Sequence, residues 1–287
     1  MIINHNLNAM NAQRQFGINN FNTGKSIEKL SSGFRINRAG DDAAGLSISE
    51  KMRAQIKGLN QASRNSQDAI SLIQTAEGAL NETHSILQRM RELAVQSAND
   101  TNNSVDRTAL QDEINQLTVE LDRIGQSTAF NEKKLLSGGF ATNGLQFQIG
   151  ANNESSLQIE LKINSMTASG LGINPSNGQT ISGSTVKAVS IKTVTDARAA
   201  IDTFNTAIKT VSAERSKLGA YQNRLEHTIS NLDNAAENLQ AAESRVRDVD
   251  MAKEMMNYTK SNILSQASQA MLAQANQAPQ SVLRLLG

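Results

Sequence analysis

Residues 197–246 read ARAAIDTFNTAIKTVSAERSKLGAYQNRLEHTISNLDNAAENLQAAESRV. Apolar side chains recur along this stretch in alternating steps of four and three, with polar or charged residues only at positions 215, 222 and 243. A 3.5-residue period that continues this far is typical of a left-handed coiled coil. The stretch therefore predicts one long helix of a coiled-coil rod. The series is Ala197, Ile201, Phe204, Ile208, Val211, Arg215, Leu218, Gln222, Leu225, Ile229, Leu232, Ala236, Leu239, Glu243 and Val246.

The rest of the chain also permits long helices. Proline, the residue that a helix interior tolerates least, occurs only at positions 175 and 279. A second series at intervals of seven predicts a helix that ends near Ala98, and a shorter helix follows a turn at residues 99–104. The second series is Met52, Leu59, Ser66, Ile73, Leu80, Leu87 and Ala94, with mixed companion positions Ile56, Ser63, Ile70, Glu77, His84 and Arg91.

Only residues 137–163 are predicted to contain strands. Apolar residues alternate with polar ones at 145–149 and again at 157–163, and a turn-rich sequence separates the two runs. This pattern predicts a β-hairpin with a somewhat long loop. Residues 165–192 are rich in Ser, Gly, Thr and Asn and are predicted to form a short, loop-rich tip.

Composition excludes several classes of function. The chain has 287 residues, a net charge of +1 and no cysteine. The charge balance gives no electrostatic footprint for nucleic acid, and no apolar run approaches the roughly 18 residues of a membrane span. Without cysteine there is no disulfide, thiol nucleophile or thiolate metal site. We therefore expect no partner nucleic acid and no membrane insertion.

No motif predicts an enzyme. The three histidines are scattered and lack the HExxH spacing of a zinc site. The paired aspartates at 41 and 42, and those at 248 and 250, are interpreted as helix caps and solvated turns. We predict no catalytic residue, no metal ligand and no cofactor.

The two ends of the chain are more apolar than one partner helix could cover. Residues 2–34 carry apolar side chains on two opposite faces, and the last helix has a broad apolar face. We expect both ends to fold only when other copies of the chain enclose them; an ordinary internal helical hairpin is the alternative. The predicted self-assembly residues are Leu7, Met10, Phe21, Met256, Ile263, Leu264, Met271, Val282, Leu285 and Leu286.

Three stretches carry a resemblance to a known family: LSSGFRINRAGDDAAGLSISEKMRAQIKGL at 30–59, LQRMRELAVQSAND at 87–100, and SRVRDVDMAKEMMNYTKSNILSQASQAMLAQANQAPQSVLRLLG at 244–287. The chain resembles bacterial flagellins closely, over roughly 1–165 and 193–287. Many flagellins carry large outer domains in the middle, so this chain is similar to a minimal form.

The resemblance implies a mainly α fold. It is a long antiparallel coiled-coil rod with a small β-hairpin, and the terminal helices pair into an inner coiled coil. The implied division is residues 1–40 as the N-terminal helix of an inner, channel-lining domain, 41–164 as the N-terminal part of the rod with the hairpin, 165–192 as the variable tip, 193–245 as the C-terminal heptad helix of the rod, and 246–287 as the C-terminal helix of the inner domain.

The resemblance also implies a structural subunit that polymerises into the extracellular flagellar filament for motility. Such a subunit is exported unfolded by the flagellar secretion apparatus and folds at the filament tip, in keeping with the lack of a recognisable signal peptide at residues 1–16. The implied partners are an export chaperone, the filament cap and hook-junction proteins. Two alternatives stay open: a hook–filament junction adaptor, and a secreted ligand that engages host receptors and polymerises weakly.

One implied contact is specific to residues. In flagellins that Toll-like receptor 5 recognises, the helix with an RELAVQSAN-like stretch supplies the main contact. The matching residues here are Arg89, Leu93 and, on the next helix, Glu113. The resemblance therefore implies that this receptor of a vertebrate host binds the monomer.

Overall fold

The computed structural model describes residues 6–173 and 189–286, with the side chains of the last helix described as far as residue 277. Helices dominate these residues, as predicted. They are α1 (Leu7–Ser32), α2 (Ala43–Ser97), α3 (Ser104–Ser127), α4 (Val194–Arg247) and α5 (Met251–Leu286), and the short strands are β1 (Ala129–Phe130), β2 (Lys133–Lys134), β3 (Leu145–Gln148) and β4 (Gln158–Leu161).

Short polar side chains fix where the helices begin. Asn6 accepts a hydrogen bond from the Ala9 amide at the start of α1, and Asp42 accepts one from the Gly45 amide at the start of α2. Asn103 and Asp106 form a reciprocal capping box on α3. Each bond satisfies an amide that has no partner within its own helix. Helix α1 ends at Gly33, whose φ of 74° is the left-handed conformation that glycine adopts without strain.

The chain divides into two compact units. Unit 1 comprises Met1–Ile56 and Glu237–Gly287, and unit 2 comprises Lys57–Ala236. The predicted five-part division of the chain is a finer scheme and stays a prediction. Each unit is described separately below.

Unit 2 has a core between the seams of α2 and α4. The predicted positions at intervals of seven are confirmed, because Ile73, Leu80 and Leu87 are fully buried. Of the mixed companion positions on α2, Ser63 is buried and Ile70 packs partly against the core. Residues one position earlier are more fully buried, so that the main buried series is Ala62, Ser66, Ala69, Ile73, Ala76, Leu80, Thr83, Leu87, Met90, Ala94 and Ser97.

Helix α4 has a similar arrangement of buried positions. Phe204, Val211 and Leu218 are buried as predicted, whereas the companion positions in this half of the helix are Ala200, Ala207 and Glu214. Alanine between larger residues lets the helices approach closely and leaves room for the long side chains of the facing seam. The two helices run antiparallel, since Glu77 pairs with Arg215 at 3.7 Å while Ser97, further along α2, bonds to Ile191, just before α4.

The predicted hairpin is confirmed in β3 and β4. The two strands pair antiparallel with Leu145 opposite Leu161 and Gln148 opposite Gln158. Gly58 makes room for its loop, because a Cβ atom at this position of α2 would lie 2.6 Å from that of Ala151. A second, smaller hairpin of β1 and β2 contradicts the prediction that strands lie only in residues 137–163.

Buried polar side chains tie the irregular segments of unit 2 to its helices. Gln111 on α3 donates a hydrogen bond to the Val189 carbonyl and accepts one from the Ile191 amide, at 3.2 and 2.6 Å. Glu214 on α4 accepts two hydrogen bonds from Asn164, which follows β4. Such fully bonded contacts fix the backbone beside the predicted tip, of which residues 174–188 lie outside the described residues.

Within unit 1, the connection from α1 to α2 is bonded to the connection from α4 to α5. Phe34 and Asp248 form an antiparallel β-bridge, and the Arg247 guanidinium lies 4.7 Å from the centroid of the Phe34 ring. The same guanidinium donates hydrogen bonds to Glu50 at 2.8 Å and to the hydroxyl of Ser49 at 3.4 Å. Arg247 therefore connects both breaks in the helical path to the first turns of α2.

The small residues of the α4 seam should be intolerant of enlargement. Ala207→Leu inserts three carbon atoms where the wild-type side chain is 1% exposed, and overpacking of this kind costs about 1–3 kcal/mol. We expect that loss in the free energy of unfolding of unit 2, measured by urea denaturation and circular dichroism. The matched control is Ala213→Leu, on the exposed side of the same helix, with an expected change within about 0.5 kcal/mol. Equal effects of the two substitutions would contradict the close packing of Ala207 in the α4 seam.

Arg247 should control the titration of Glu50. The pKa of the Glu50 carboxyl lies below its ordinary value mainly because Arg247 donates a hydrogen bond to it. A lowered folded-state pKa stabilises the fold above the unfolded-state pKa, and the stabilisation is lost as the pH falls through the folded-state pKa. Arg247→Gln should therefore raise the NMR titration midpoint of Glu50. The exposed-site control Arg245→Gln removes an equal charge and should leave the midpoint nearly in place; an unmoved midpoint in Arg247→Gln would refute the contact.

Candidate self-assembly and receptor-binding surfaces

Helices α1 and α5 form an antiparallel pair in which Cα atoms of the two helices lie within 8 Å of each other. Their least exposed side chains recur in steps of four and three, so the pair uses a heptad seam. Most of these side chains are small or polar. We call this set the terminal seam: Ala9, Ala12, Phe16, Asn19, Thr23, Ser26 and Leu30 on α1, and Glu254, Tyr258, Ser261, Ser265, Ser268, Leu272 and Ala275 on α5.

Hydrogen bonds across the terminal seam set its register. The Asn6 amide donates to the Ala275 carbonyl at 2.7 Å, and the Asn19 amide donates to the Ser268 hydroxyl at 3.1 Å. Near the other end of the pair, the buried Ser26 hydroxyl donates to Glu254 at 2.6 Å. Polar groups inside a helical seam specify one alignment, because a shifted alignment would leave them without partners.

Most of the large apolar side chains of both helices lie outside the terminal seam, although Phe16, Leu30, Tyr258 and Leu272 belong to it. Of the ten predicted self-assembly residues, the seven whose side chains are described are 43–67% exposed. They are Leu7, Met10 and Phe21 on α1, and Met256, Ile263, Leu264 and Met271 on α5. The side chains of Val282, Leu285 and Leu286 lie outside the described residues.

The exposed residues form one stripe on each helix. On α1, Leu7, Met10 and Phe21 lie on the side opposite the seam, since a helix turns 100° per residue. On α5, Met256 and Ile263 are seven residues apart and lie on one line, and Leu264 and Met271, also seven apart, lie on a second line about 80° round the helix. We call these two surfaces the outer stripes. Isolated exposed apolar residues are normal, but several on one side of each helix indicate an interaction surface.

Two further residues belong to these surfaces. Sequence analysis places Ile18 on the same apolar face as Leu7, Met10 and Phe21, although Ile18 is not among the predicted self-assembly residues. Met255, which sequence analysis missed, helps to line an open apolar groove on α5. The six residues that line the groove are Met255, Met256, Thr259, Lys260, Ile263 and Leu264. The terminal seam was also missed, because its Ala, Ser and Asn residues at heptad spacing give no apolar signal.

The single chain differs from the expectation of unfolded ends. Both terminal segments are helical and paired over their described residues. The apolar residues on which that expectation was based are nevertheless exposed, because they lie on the outer sides of the α1–α5 pair. A seam of small and polar side chains removes little apolar surface from water, so it stabilises the pair only weakly.

The two charged residues of the predicted receptor surface form one pair in unit 2. Arg89 on α2 and Glu113 on α3 are joined at 2.9 and 3.0 Å, and Arg89 also contacts Glu92 at 3.4 Å. The pKa of Arg89 lies above its ordinary value, chiefly because of the hydrogen bond to Glu113. Both side chains are about half exposed, so the pair is available at the surface.

The predicted role of Leu93 requires correction. Its side chain is only 1% exposed and belongs to the core of unit 2. It therefore cannot contact a receptor while unit 2 stays folded. Leu93 lies one turn beyond Arg89 on α2. Val95, which is 51% exposed, lies beside Glu92 and Gln96 on the surface of the same helix.

No cluster of three or more His, Asp or Glu residues suited to a metal ion occurs in the described part of the chain. Among the helices of residues 6–173 and 189–286, none combines the length and the apolar character that crossing a membrane requires.

Comparisons with known proteins agree with this architecture. The bacterial flagellin N-terminal helical region matches residues 3–141, and the bacterial flagellin C-terminal helical region matches residues 201–286. A flagellin of Halalkalibacterium halodurans is 62% identical over 286 residues, and a flagellin of Bacillus subtilis is 54% identical over 305; both alignments cover 100% of each chain.

A solved structure from Vibrio parahaemolyticus, assigned as a flagellar hook-associated protein, shares the fold alone. It covers 72% of this chain and 100% of its own, with a TM-score of 0.57 and 12% identity. The sequence matches are far stronger and span both terminal helices. The chain therefore belongs to the bacterial flagellin family, as a minimal form of these structural subunits of the flagellar filament.

Proposed function

We propose that the chain polymerises through the outer stripes of α1 and α5, which sibling subunits cover in the filament. The observation that carries the proposal is the arrangement of one helix pair, with small and polar residues inside and large apolar residues outside. A soluble hairpin that functions alone would have the opposite arrangement. Membership of the bacterial flagellin family indicates that this assembly is a flagellar filament.

The predicted division of the chain follows from this proposal. Residues 1–40 and 246–287 would form the inner, channel-lining layer, because they carry the outer stripes. Residues 41–164 and 193–245 would form the surrounding layer, with 165–192 as the tip. The buried seams of α2 and α4 support the second assignment, since they complete a core within one chain.

Export and assembly partners belong to the same proposal. Weak pairing of α1 and α5 suits a chain that travels unfolded through the flagellar secretion apparatus and folds at the filament tip beneath a cap protein. Exposed apolar stripes would associate prematurely in the cytoplasm, so an export chaperone would cover the C-terminal segment. Hook-junction proteins would hold the base of the extracellular filament.

A hook–filament junction adaptor is the second candidate, because the fold likeness to a hook-associated protein fits such a role. Electron microscopy of purified protein, grown from seeds, separates the two. Long tubes support a filament subunit and short rings support an adaptor. Neither form would appear if the protein were chiefly a secreted receptor ligand with weak polymerisation.

We further propose that Arg89 and Glu113 form the surface that Toll-like receptor 5 binds. The two residues match the family pattern, and their ion pair presents both charges at the surface, with both side chains about half exposed. Leu93 would contribute by supporting this surface from the core. Because the residues lie in unit 2, they do not depend on the folding of α1 and α5.

The outer stripe of α5 should be intolerant of charge. Ile263→Glu places a carboxylate where a sibling subunit would exclude water, and an unpaired buried charge is strongly unfavourable. We expect at least about a tenfold lower rate of filament elongation from seeds, measured by light scattering and electron microscopy, since each 1.4 kcal/mol corresponds to a factor of ten.

Gln269→Glu is the matched control, because this exposed position of α5 lies beside the stripe and the substitution adds the same charge. It should elongate at close to the wild-type rate, and both variants should keep the thermal unfolding of unit 2. Normal elongation of Ile263→Glu would contradict a role for the stripe.

Charge reversal tests the receptor surface. Arg89→Glu should weaken binding to the receptor ectodomain by about tenfold or more, because it leaves two repelling carboxylates at the contact. The double variant Arg89→Glu with Glu113→Arg restores the ion pair of the fold with the charges exchanged. We expect it to fold normally and still to bind weakly, as measured by surface plasmon resonance with circular dichroism of the monomer. Wild-type binding by the double variant, or no binding by folded wild-type monomer, would sink the proposal.

A further inference from the structure

The eight methionines within the described residues are divided between two environments. Five of them are half exposed or more, all on α1 and α5, and we call them the outer methionines: Met10, Met251, Met255, Met256 and Met271. Met90 and Met166 of unit 2 are fully buried, and Met52 is half-buried. The chain contains no cysteine, so methionine is its only readily oxidised sulfur.

Three of the outer methionines lie directly in the outer stripes. Met10 lies between Leu7 and Phe21 on α1. On α5, Met256 lies one seven-residue step before Ile263, and Met271 lies one such step after Leu264. These three thioethers are therefore part of the surfaces that the proposed function buries between subunits.

We propose that Met10, Met256 and Met271 are oxidation sites that control whether a subunit can join the filament, with peroxide as the oxidant. This inference rests on the proposed function. Conversion of these residues to methionine sulfoxide makes the monomer unable to add to a growing filament. Subunits that are already assembled are protected, because their outer stripes are covered.

The reaction is a two-electron oxygen transfer. A lone pair of the thioether sulfur attacks one oxygen of hydrogen peroxide, the O–O bond breaks, and an S–O bond forms. The departing hydroxide takes up the proton of the transferred hydroxyl group and leaves as water. The sulfur is oxidised and the peroxide is reduced, so the products are one methionine sulfoxide and one water.

The product opposes assembly for a physical reason. A thioether is a flexible, apolar group that packs well in an irregular interface. A sulfoxide is polar and accepts hydrogen bonds, and burial without a donor is unfavourable. Leu7, Phe21, Ile263 and Leu264, the other members of the outer stripes, carry no side-chain donor, whereas Thr259 and Lys260 line the groove beside Met256. Methionine sulfoxide reductases, with a thiol reductant, return the sulfoxide to the thioether and should restore assembly.

The first test is elongation of oxidised monomer. Purified full-length monomer is treated with hydrogen peroxide, freed of oxidant, and added to untreated filament seeds. We expect at least a tenfold lower elongation rate, recovered after treatment with the two epimer-specific reductases and dithiothreitol. Unchanged elongation, despite sulfoxide detected at the three sites by peptide mass spectrometry, would overturn the inference and leave the proposed function intact. Failure of untreated monomer to elongate would instead overturn the proposed function, and the inference with it.

The second test locates the effect within one sample. Partly oxidised monomer is allowed to assemble, filaments are separated by sedimentation, and both fractions are mapped by mass spectrometry. Sulfoxide at Met10, Met256 and Met271 should be depleted at least tenfold in the filament fraction relative to the soluble fraction. Met90 and Met166 are internal controls that should stay unoxidised in both fractions, because they are buried in unit 2. Equal sulfoxide content at the three sites in both fractions would overturn the proposal.

A variant assigns the effect to the thioethers. Met10, Met256 and Met271 are replaced together by Leu, which is apolar, similar in size and inert to peroxide. This variant should elongate equally with and without peroxide treatment. Inhibition equal to that of the wild type would assign the effect to other residues and refute the proposal. The sedimentation test uses the wild-type chain and decides the question even if the variant assembles poorly.

Discussion

The whole arrangement depends on the use of small side chains at the seams between helices. Alanine, serine and asparagine let two helical backbones approach closely, and they leave no room for larger residues on the same side. In unit 2 the small residues alternate with Leu, Ile and Phe, so close approach is combined with a complete apolar core. In unit 1 the terminal seam is small and polar along much of its length, and the large apolar residues have to occupy the outside of the pair.

This difference separates a self-sufficient part of the chain from a dependent one. Unit 2 packs β3, β4 and three helices around one core, with the amide of Gln111 and the carboxylate of Glu214 satisfying the backbone of the irregular segments. Unit 1 is held in register by a few hydrogen bonds and by the contacts of Arg247, with its apolar stripes uncovered. A subunit built in this way has a stable part that keeps its shape and a terminal part whose stability comes from neighbours. The proposed control of assembly by methionine oxidation acts on this terminal part of the chain.

Much of the fold could be predicted from the sequence. The positions at intervals of seven, such as Leu80 and Phe204, were identified correctly because large apolar residues carry a strong periodic signal. The buried alanines of the seams, such as Ala69 and Ala207, could not be predicted in the same way, because alanine occurs on any side of a helix and its spacing gives a weaker signal than that of Ile70. The small hairpin of β1 and β2 was not predicted, because its turn has Asn131 and Glu132 at positive φ, where glycine would have indicated a turn. Burial of Leu93 followed from its place in the α2 seam and could not be predicted from a family match. The excess of apolar residues at both ends could be read from the sequence, and the structure leaves these residues exposed, while their role in self-assembly stays a prediction.

Hydrogen exchange measured by mass spectrometry on monomer and filament tests the central claim most directly. Exchange reports the free energy of local opening, so it distinguishes a helix that is formed from one that is firmly held. Amides of residues 7–32 and 251–277 should exchange within seconds in the monomer and become protected by about a thousandfold or more in the filament, about 4 kcal/mol. Amides of 62–97 and 197–236 should be strongly protected in both states. Equal, strong protection of the terminal helices in monomer and filament would contradict the account, because the pair would then be stable without its neighbours.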